Sequence, residues 1–463
     1  MIPAALKTAI EPYHRQEDQH YSTPSAVDRE TVDLEQIVTM VLVKDTLGRT
    51  QVIFPADCLF DIHTLSKQMG RELEPLKHED VAKLLSSYNV AAIPAIPDIT
   101  GLPAMVDSRV FAMPFDDIYL DAGDRNTLIK IDKGLFLATL NNTQQGAFTI
   151  PLATIPSNQC HQDEDAQCIN QAVEKFTTRR IKQRIEDTLE LPPLPKSAQA
   201  IIKLRADGEA GCDELSSIVE KDPSLSAQVV SWAASSLYNA PGKIKSVHDA
   251  IIRVLGFDLV MNLSIGLSLG ASLKAPIDTA QNRPAYWHEA LWTALSTTAL
   301  IAKIEAPYRP NFGMAYLSGL LHNIGYLALA HIFPPHFKLI CLYMDANPHV
   351  DPSVIEHHLL GITSEQVGSQ LMTVWGLPAE VITAMRHQKN GRYQGANAEY
   401  AKLLTLSKYV LAKRGIIPMP TYTPVAEICA FFNINEAIAL EAGDLLFEKK
   451  DDVDNMVKQL DDA

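Results

Sequence analysis

The chain has 463 residues, of which 47% are hydrophobic and 21% are charged, and its formal net charge is -15. This length predicts two or three domains, and the composition is that of a folded globular protein rather than a disordered one. The negative charge disfavours broad, non-specific binding to nucleic acid, which requires many Lys and Arg side chains against phosphates.

The first third of the chain shows a mixed α/β pattern. An apolar, β-branched run at 37–43, a turn sequence at 44–48 and a second apolar run at 50–54 predict a β-hairpin. Further short strands are predicted at 109–114, 118–120 and 127–131, and helices at 62–69 and 78–86.

The rest of the chain is a polar linker followed by an almost wholly helical pattern. Helix starts are predicted at Asp222-Pro223, where a capping residue precedes a proline, and at Thr363, which opens a capping box. Apolar residues at helical spacing predict one buried helix over 314–328. The longest apolar stretch, 313–333, carries two histidines and an asparagine, which favours a buried helix over a membrane span.

The six cysteines are spread along the chain without a CxxC pair. In a chain of this length, that distribution indicates reduced thiols and a cytoplasmic location. The first 19 residues show no apolar segment after a basic start, so no secretory signal is expected.

Several phrases of the helical half occur in a characteristic order. They lie at residues 191–195, 220–225, 246–251, 254–256, 287–288, 319–325 and 375–378. Together they resemble the HDOD domain, a relative of the HD phosphohydrolases that is found in bacterial signalling proteins. The resemblance implies an all-α HDOD domain over most of the second half.

The same resemblance implies a degenerate metal site. In catalytic HD enzymes, histidines and two aspartates hold a divalent cation, and the matching positions here are His288, His322, Asn323 and Lys408. Asn323 carries no charge and Lys408 would repel a cation. Because both carboxylates are lost, we expect no bound metal, no cofactor and no catalytic residue.

The resemblance also suggests what could replace the metal. His357 and His358 lie near the site in sequence, and Arg386-His387-Gln388 stands where many HDOD domains have a tandem histidine. A ligand-binding cleft is therefore predicted, and it would suit an anion better than a cation. Its expected lining is His288, His322, Asn323, His357, His358, His387 and Lys408.

Residues 31–140 resemble the YbaK-type aminoacyl-tRNA editing domain, which hydrolyses mischarged tRNA with a strand lysine and a Gly-rich loop that ends in proline. With Lys44 as the anchor, the family lysine falls on Thr39, which cannot supply an ammonium group. The loop at 90–94 has alanine where glycine would let the backbone approach a ligand. The resemblance therefore implies that residues 31–140 keep the fold of the editing domain but lack the residues that catalyse hydrolysis.

The sequence thus predicts an α/β N-terminal domain with a YbaK-like mixed sheet, followed by an all-α HDOD helical domain. The predicted organisation is an N-terminal arm at 1–30, the editing-like domain at 31–140, a linker at 141–180, the HDOD domain at 181–420, and a C-terminal helical extension with an acidic tail at 421–463.

The predicted function is that of a non-enzymatic signal-transduction or regulatory protein. We expect it to bind a signalling partner protein or a small nucleotide-like ligand through the degenerate HD cleft, without a membrane or nucleic-acid partner. Two alternatives stay open, namely a metal-dependent phosphohydrolase with altered ligands and an aminoacyl-tRNA deacylase acting through the N-terminal domain. The oligomeric state stays open as well.

Overall fold

A computed structural model describes residues 4–14, 22–88, 92–122, 127–156, 164–176, 194–206, 210–238, 240–273, 276, 279–281, 283–418 and 423–461. The chain divides into two compact units. The first unit comprises Met1–Ser157, Ala280–Asn282 and Lys338–His358, and the second comprises Asn158–Thr279, Arg283–Phe337 and Leu359–Ala463. None of the helices in the described ranges has both the length and the apolar character that a membrane crossing requires.

The first unit begins with a mixed α/β arrangement. Its strands are β1 (Ser25–Asp28), β2 (Val38–Lys44), β3 (Arg49–Pro55), β4 (Cys58–Phe60), β5 (Glu74–Pro75), β6 (Ala104–Asp107), β7 (Asp117–Asp121), β8 (Thr127–Asp132), β9 (Gln144–Gly146) and β10 (Thr149–Pro151). Its first helices are α1 (Ala4–His14), α2 (Ile62–Met69), α3 (His78–Tyr88), α4 (Pro97–Thr100), α5 (Ser108–Ala112) and α6 (Lys133–Thr139). The strands form sheets in the orders β5-β2-β3-β6-β9, β1-β8-β7 and β10-β4.

The hairpin of β2 and β3 confirms the prediction from the apolar runs. The two strands pair antiparallel from Val38 opposite Pro55 to Lys44 opposite Arg49. The turn forms because the Asp45 carboxylate accepts hydrogen bonds from the amides of residues 47 and 48, at 2.8 and 2.9 Å. β3 also pairs in parallel with β6, which gives the five-stranded sheet its mixed character.

Three segments of the first unit differ from the sequence-based expectation. The predicted strand at 109–114 is instead the short helix α5, because the Asp107 side chain accepts the amide hydrogen of Arg109 and starts a helix. The predicted N-terminal arm contains α1, whose Leu6 and Ile10 are buried in the hydrophobic core. Part of the predicted linker forms β9 and β10.

After β10 the described residues form helices and their connecting loops, as predicted for the HDOD region, but the first of these helices, Asp165–Phe176, lies inside the predicted linker. The helices are α7 (Asp165–Phe176), α8 (Lys196–Ala206), α9 (Cys212–Glu220), α10 (Pro223–Ala233), α11 (Val247–Ala250), α12 (Phe257–Ser272), α13 (Tyr286–Lys303), α14 (Phe312–Leu321), α15 (Ile324–Ile332), α16 (Pro334–Ala346), α17 (Pro352–Leu360), α18 (Ser364–Val374), α19 (Ala379–His387), α20 (Ala398–Lys413), α21 (Val425–Phe431), α22 (Glu436–Phe447) and α23 (Lys450–Asp461). The caps at Asp222 and Thr363 form as expected.

Helix α13 is central to the second unit. It packs against α14, α20, α22 and α23, so the chain's acidic C-terminal segment is a helix of the bundle. α15 packs closely on α18, and Gly325 permits this because a Cβ atom there would lie 1.9 Å from the carbonyl oxygen of Ser364. The predicted single helix at 314–328 is wrong. α14 ends at Leu321 and α15 begins at Ile324, with His322 and Asn323 between them.

A segment from the helical half of the chain belongs to the first unit. Within residues 338–358, the buried side-chain amide of Asn347 accepts a hydrogen bond from the Phe60 amide at 2.6 Å and donates one to the Phe60 carbonyl at 3.0 Å. His349 lies 3.0 Å from the Cys58 carbonyl oxygen through Nε2, and the Tyr343 hydroxyl donates to Asp61 at 2.7 Å. These contacts complete the edge of β4 opposite β10.

Some sequence features fall outside the described residues. They are residues 191–193 of the first HDOD phrase, residues 90 and 91 of the Gly-rich loop position, and residues 157–163 and 177–180 of the predicted linker.

Candidate functional site

The His-Asn pair lies at the break between two buried helices of the second unit. His322 is 1% exposed, and its Nδ1 lies 2.7 Å from the carbonyl oxygen of Gly319. This short contact to a carbonyl requires the proton on Nδ1, so Nε2 is the nitrogen that faces the rest of the site. Metal-binding histidines are oriented in the same way, with one nitrogen held by a carbonyl and the other free to coordinate.

A glutamate from α13 faces this nitrogen. The Oε1 atom of Glu289 lies 3.4 Å from His322 Nε2, and its Oε2 atom lies 3.4 Å from a guanidinium nitrogen of Arg283. Burial alone would raise the pKa of Glu289, but Arg283, His322 and Lys408 outweigh that effect and hold the pKa well below its usual range. Glu289 is therefore an ionised carboxylate inside the helical unit.

Lys408 on α20 supplies a positive charge to the same site. Its ammonium donates a hydrogen bond to Oε1 of Gln388, which follows α19, and Gln388 Nε2 donates to the His322 carbonyl oxygen at 2.8 Å. Burial lowers the pKa of Lys408 to about 8 against the opposing attraction of Glu289. Burial and the Lys408 charge together lower the pKa of His322, although Glu289 acts in the other direction.

Asn323 is held by the backbone but keeps one unsatisfied atom. Its Nδ2 donates to the Tyr286 carbonyl oxygen at 3.1 Å, and its side chain is 6% exposed. Its Oδ1 is buried and has no hydrogen-bond partner among the described residues, and the same is true of the Tyr286 hydroxyl. Buried polar atoms normally have hydrogen-bond partners. These two atoms are therefore available to hydrogen-bond to a ligand.

His288 is close in sequence but does not face His322. Its Nε2 lies 3.9 Å from a carboxylate oxygen of Asp454 on α23, and the same oxygen accepts a hydrogen bond from the Trp292 indole at 3.2 Å. Burial lowers the pKa of His288 in spite of Asp454. His288 thus contacts the C-terminal helix, and the next residue, Glu289, faces the His322 ring.

The remaining predicted histidines contact other groups. His387 stacks on Tyr393, with ring centroids 3.8 Å apart and an interplanar angle of 10°, and burial lowers its pKa to about 4. His357 and His358 lie in the segment that belongs to the first unit, where His358 is 6.4 Å from the Tyr343 ring. Of the predicted residues, the structure brings together His322, Asn323 and Lys408.

Three residues of this cluster were not predicted from the sequence, namely Arg283, Glu289 and Gln388. Glu289 had a signal, because it adjoins His288 on a helix and a turn of about 100° per residue decides which of the two faces the site. Gln388 ends the phrase in which the tandem histidine is lost. Arg283 precedes α13 without any local pattern, and only the fold brings it to Glu289.

The residues at this position do not fit a divalent metal ion. Within the described part of the chain, no group of three or more His, Cys, Asp or Glu side chains could hold one. His322 Nε2 and Glu289 offer two ligand atoms, but the other two positions are a neutral amide, Asn323, and an ammonium, Lys408. A hard cation needs more oxygen ligands and more negative charge than this cluster supplies.

Comparison with known proteins agrees with the arrangement of helices. The HDOD domain family model matches residues 191–391. A crystal structure from Marinobacter aquaeolei VT8, provisionally named a signal transduction protein, is 38% identical over 100% of both chains, with a TM-score of 0.89. No curated protein matches the chain.

Two more distant structures match parts of the chain. A protein from Shewanella amazonensis SB2B, provisionally named a phosphohydrolase, is 21% identical over 62% of this chain and 99% of its own, with a TM-score of 0.47. A provisionally named trans-editing enzyme for prolyl-tRNA synthetase is 16% identical over 32% of this chain and 95% of its own, with a TM-score of 0.25. At these values neither match supports an inference about activity.

The family therefore follows from the helical region and from the relative that matches from end to end. The phrases at 220–225, 246–251, 319–325 and 375–378 all lie within the residues that the family model covers. The protein belongs to the family of HDOD-domain proteins.

Proposed function

We propose that this HDOD protein is a non-catalytic signal transduction protein that binds an anionic effector at the cluster of Arg283, Glu289, His322, Gln388 and Lys408. The effector is a nucleotide-like ligand or an acidic segment of a partner protein. The observation that carries the proposal is the Lys408 ammonium, which stands where the HD resemblance implies a metal-binding carboxylate and is fixed there by Gln388.

The charges around the cluster favour an anion. Arg283, Lys389 and Lys408 carry positive charge, whereas Glu289 and Glu365 carry negative charge, which leaves an excess of one positive charge. The Arg283 side chain is 22% exposed and that of Lys389 is 35% exposed, so both are accessible to a ligand from solvent. Guanidinium and ammonium groups make charge-assisted hydrogen bonds to phosphate and carboxylate oxygens.

The absence of turnover is part of the proposal. Phosphoester hydrolysis in metal enzymes requires the ion to polarise the phosphoryl oxygen and to generate hydroxide. The cluster offers a neutral imidazole and one carboxylate, and the latter is already engaged by Arg283. The imidazole can still accept a proton at Nε2, but neither of these two groups can polarise a phosphoryl oxygen as a divalent ion does.

Thermal unfolding with a panel of cyclic dinucleotides and guanosine polyphosphates tests the binding. All four tryptophans, Trp232, Trp287, Trp292 and Trp375, belong to the second unit, so intrinsic fluorescence reports on the unit that contains the site. A ligand at 100 times its Kd is expected to stabilise that unit by about 2.7 kcal/mol.

Two matched variants give the control. Arg283→Gln removes the exposed guanidinium of the cluster, and Arg392→Gln removes one that pairs with Glu427 at the surface, 2.7 Å away. A stabilising ligand should lose its effect in the first variant and keep it in the second. A flat response over the whole panel would contradict a nucleotide-like effector and leave the acidic partner segment, which capture on the immobilised protein with the same two variants would test.

The alternative of an altered phosphohydrolase has one observation in its favour. His322 Nε2 and Glu289 still face each other as two ligand atoms would. Incubation with Mn²⁺ and linear or cyclic dinucleotides should release no monophosphate. Turnover that His322→Ala abolishes and that Arg392→Gln leaves unchanged would refute the non-catalytic proposal.

A further inference from the structure

The facing pair of His322 and Glu289 poses an electrostatic problem. Because His322 Nδ1 carries the proton that bonds to the Gly319 carbonyl, a neutral ring points a lone pair from Nε2 toward the carboxylate oxygen 3.4 Å away. Two acceptors at this distance inside a helical unit repel each other unless a cation acts on both. In the HD enzymes that the sequence resembles, a divalent ion has that role.

The chain supplies its own cation at this place. The Lys408 ammonium is fixed by Gln388, which is itself bonded to the His322 carbonyl oxygen at 2.8 Å, and its charge acts on both Glu289 and His322. The Lys408 side chain is half-buried and has one hydrogen-bond acceptor among the described residues, the Gln388 side chain, so water screens its charge only in part. The electrostatic effect of its ammonium on Glu289 and His322 explains why a lysine occupies this position.

We infer that Lys408 is an internal replacement for the metal ion, which holds together the remnant of the ligand set formed by His322 and Glu289. The site is then a latent metal centre. Removing the lysine charge and restoring the two carboxylates, at 408 and 323, should allow a divalent cation to bind. This inference concerns the architecture of the site and does not depend on which effector the protein binds.

The first test is chemical rescue of the full-length protein. Lys408→Ala is expected to lower the Tm of the second unit, followed by tryptophan fluorescence, by roughly 5 °C. Ethylammonium chloride should restore part of the loss in this variant, because it supplies the missing ammonium, and should leave the wild-type Tm unchanged. Tetramethylammonium chloride, which cannot donate a hydrogen bond, is the matched salt control.

The second test is metal binding. Calorimetric titration with Mn²⁺ should show no binding to the wild type, no binding to Asn323→Asp alone, and saturable one-to-one binding at sub-millimolar Mn²⁺ to the Asn323→Asp/Lys408→Asp double variant. Adding His322→Ala to the double variant should abolish the binding. That loss would place the ion at the His322–Glu289 pair rather than elsewhere on an acidic chain.

The chemical rescue of Lys408→Ala tests the inference even if the double variant fails to fold. Two results would overturn the inference. One is stoichiometric Mn²⁺ binding by the wild type, since the ammonium would then coexist with the ion it is said to replace. The other is a Lys408→Ala variant whose Tm equals that of the wild type or does not respond to ethylammonium. Loss of effector binding in either variant would bear on the proposed function and not on this inference.

Discussion

The buried ion pair between α7 and α19 gives the most quantitative prediction. Arg386 donates from Nε to one Asp165 oxygen at 2.5 Å and from a terminal nitrogen to the other at 3.0 Å, and Gln366 donates to the same carboxylate at 2.7 Å. The Asp165 side chain is 1% exposed and that of Arg386 is 10% exposed. The Arg386–Asp165 pair therefore ties α7 to α19.

The Arg386→Met variant tests this assignment. It leaves the Asp165 carboxylate buried with only the Gln366 amide as a side-chain donor. Breaking a buried pair by removing one partner costs about 3–5 kcal/mol. Replacing both partners, as in Asp165→Leu/Arg386→Met, should cost about 1–3 kcal/mol, because no uncompensated charge is then buried and only the Gln366 amide loses its acceptor. The double variant should therefore be more stable than Arg386→Met by about 2 kcal/mol.

Urea unfolding followed by tryptophan fluorescence measures these energies, since the signal comes from the second unit. The Arg386→Met midpoint should fall by roughly 1–2 M urea. Arg392→Met is the matched control, because its bidentate pair with Glu427 is exposed, with both side chains more than half accessible, and should change stability by about 0–1 kcal/mol. An Arg386→Met effect as small as that of the control would refute the reasoning.

Two further predictions concern packing and pH. Gly325→Ala should destabilise the second unit by about 2–3 kcal/mol in the same urea assay, because the added Cβ would clash with the Ser364 carbonyl oxygen. Gly211→Ser is the control and should not destabilise the unit, because the space around Gly211 is open. Burial lowers the pKa of His349 to about 4, so the unfolded chain binds more protons between pH 4 and 6.5, and stability should fall as pH falls through that window by up to about 1.4 kcal/mol per unit. In His349→Gln, the free energy of opening of the first unit, obtained from hydrogen exchange, should depend less on pH than in the wild type. An unchanged pH dependence of that free energy would contradict the assignment.

The two-part fold was predictable because the local patterns and the global fold agree. The runs at 37–43 and 50–54 are apolar and rich in β-branched residues and are joined by a turn, so the hairpin follows from local rules. The caps at Asp222 and Thr363 act within three residues and were found for the same reason. The short helix α5 was missed because one capping carboxylate, at Asp107, decided a segment whose apolar residues also suit a strand.

The composition of the site was less predictable, because it depends on helix phase and on distant contacts. The apolar pattern continues across the break at 322–323, so the sequence gives no sign that two helices meet there. His288 and Glu289 differ by about 100° around the axis of α13, so an error of one residue in the helix phase exchanges the side chain that faces His322. Arg386 meets Asp165 across 221 residues of sequence, and no local rule reaches that far.

The Asn347 contact has a consequence for how such proteins can be rearranged during evolution. Its fully buried amide satisfies both backbone groups of Phe60, although the two residues are 287 positions apart. Recombination near residue 157 could join the segment before that residue to a different helical region. The backbone amide and carbonyl of Phe60 would then lose their Asn347 partner, at a cost of about 1–3 kcal/mol each. The loop around Asn347 and the segment before residue 157 should therefore be inherited together, and hybrids should tolerate exchange only when both travel as a pair.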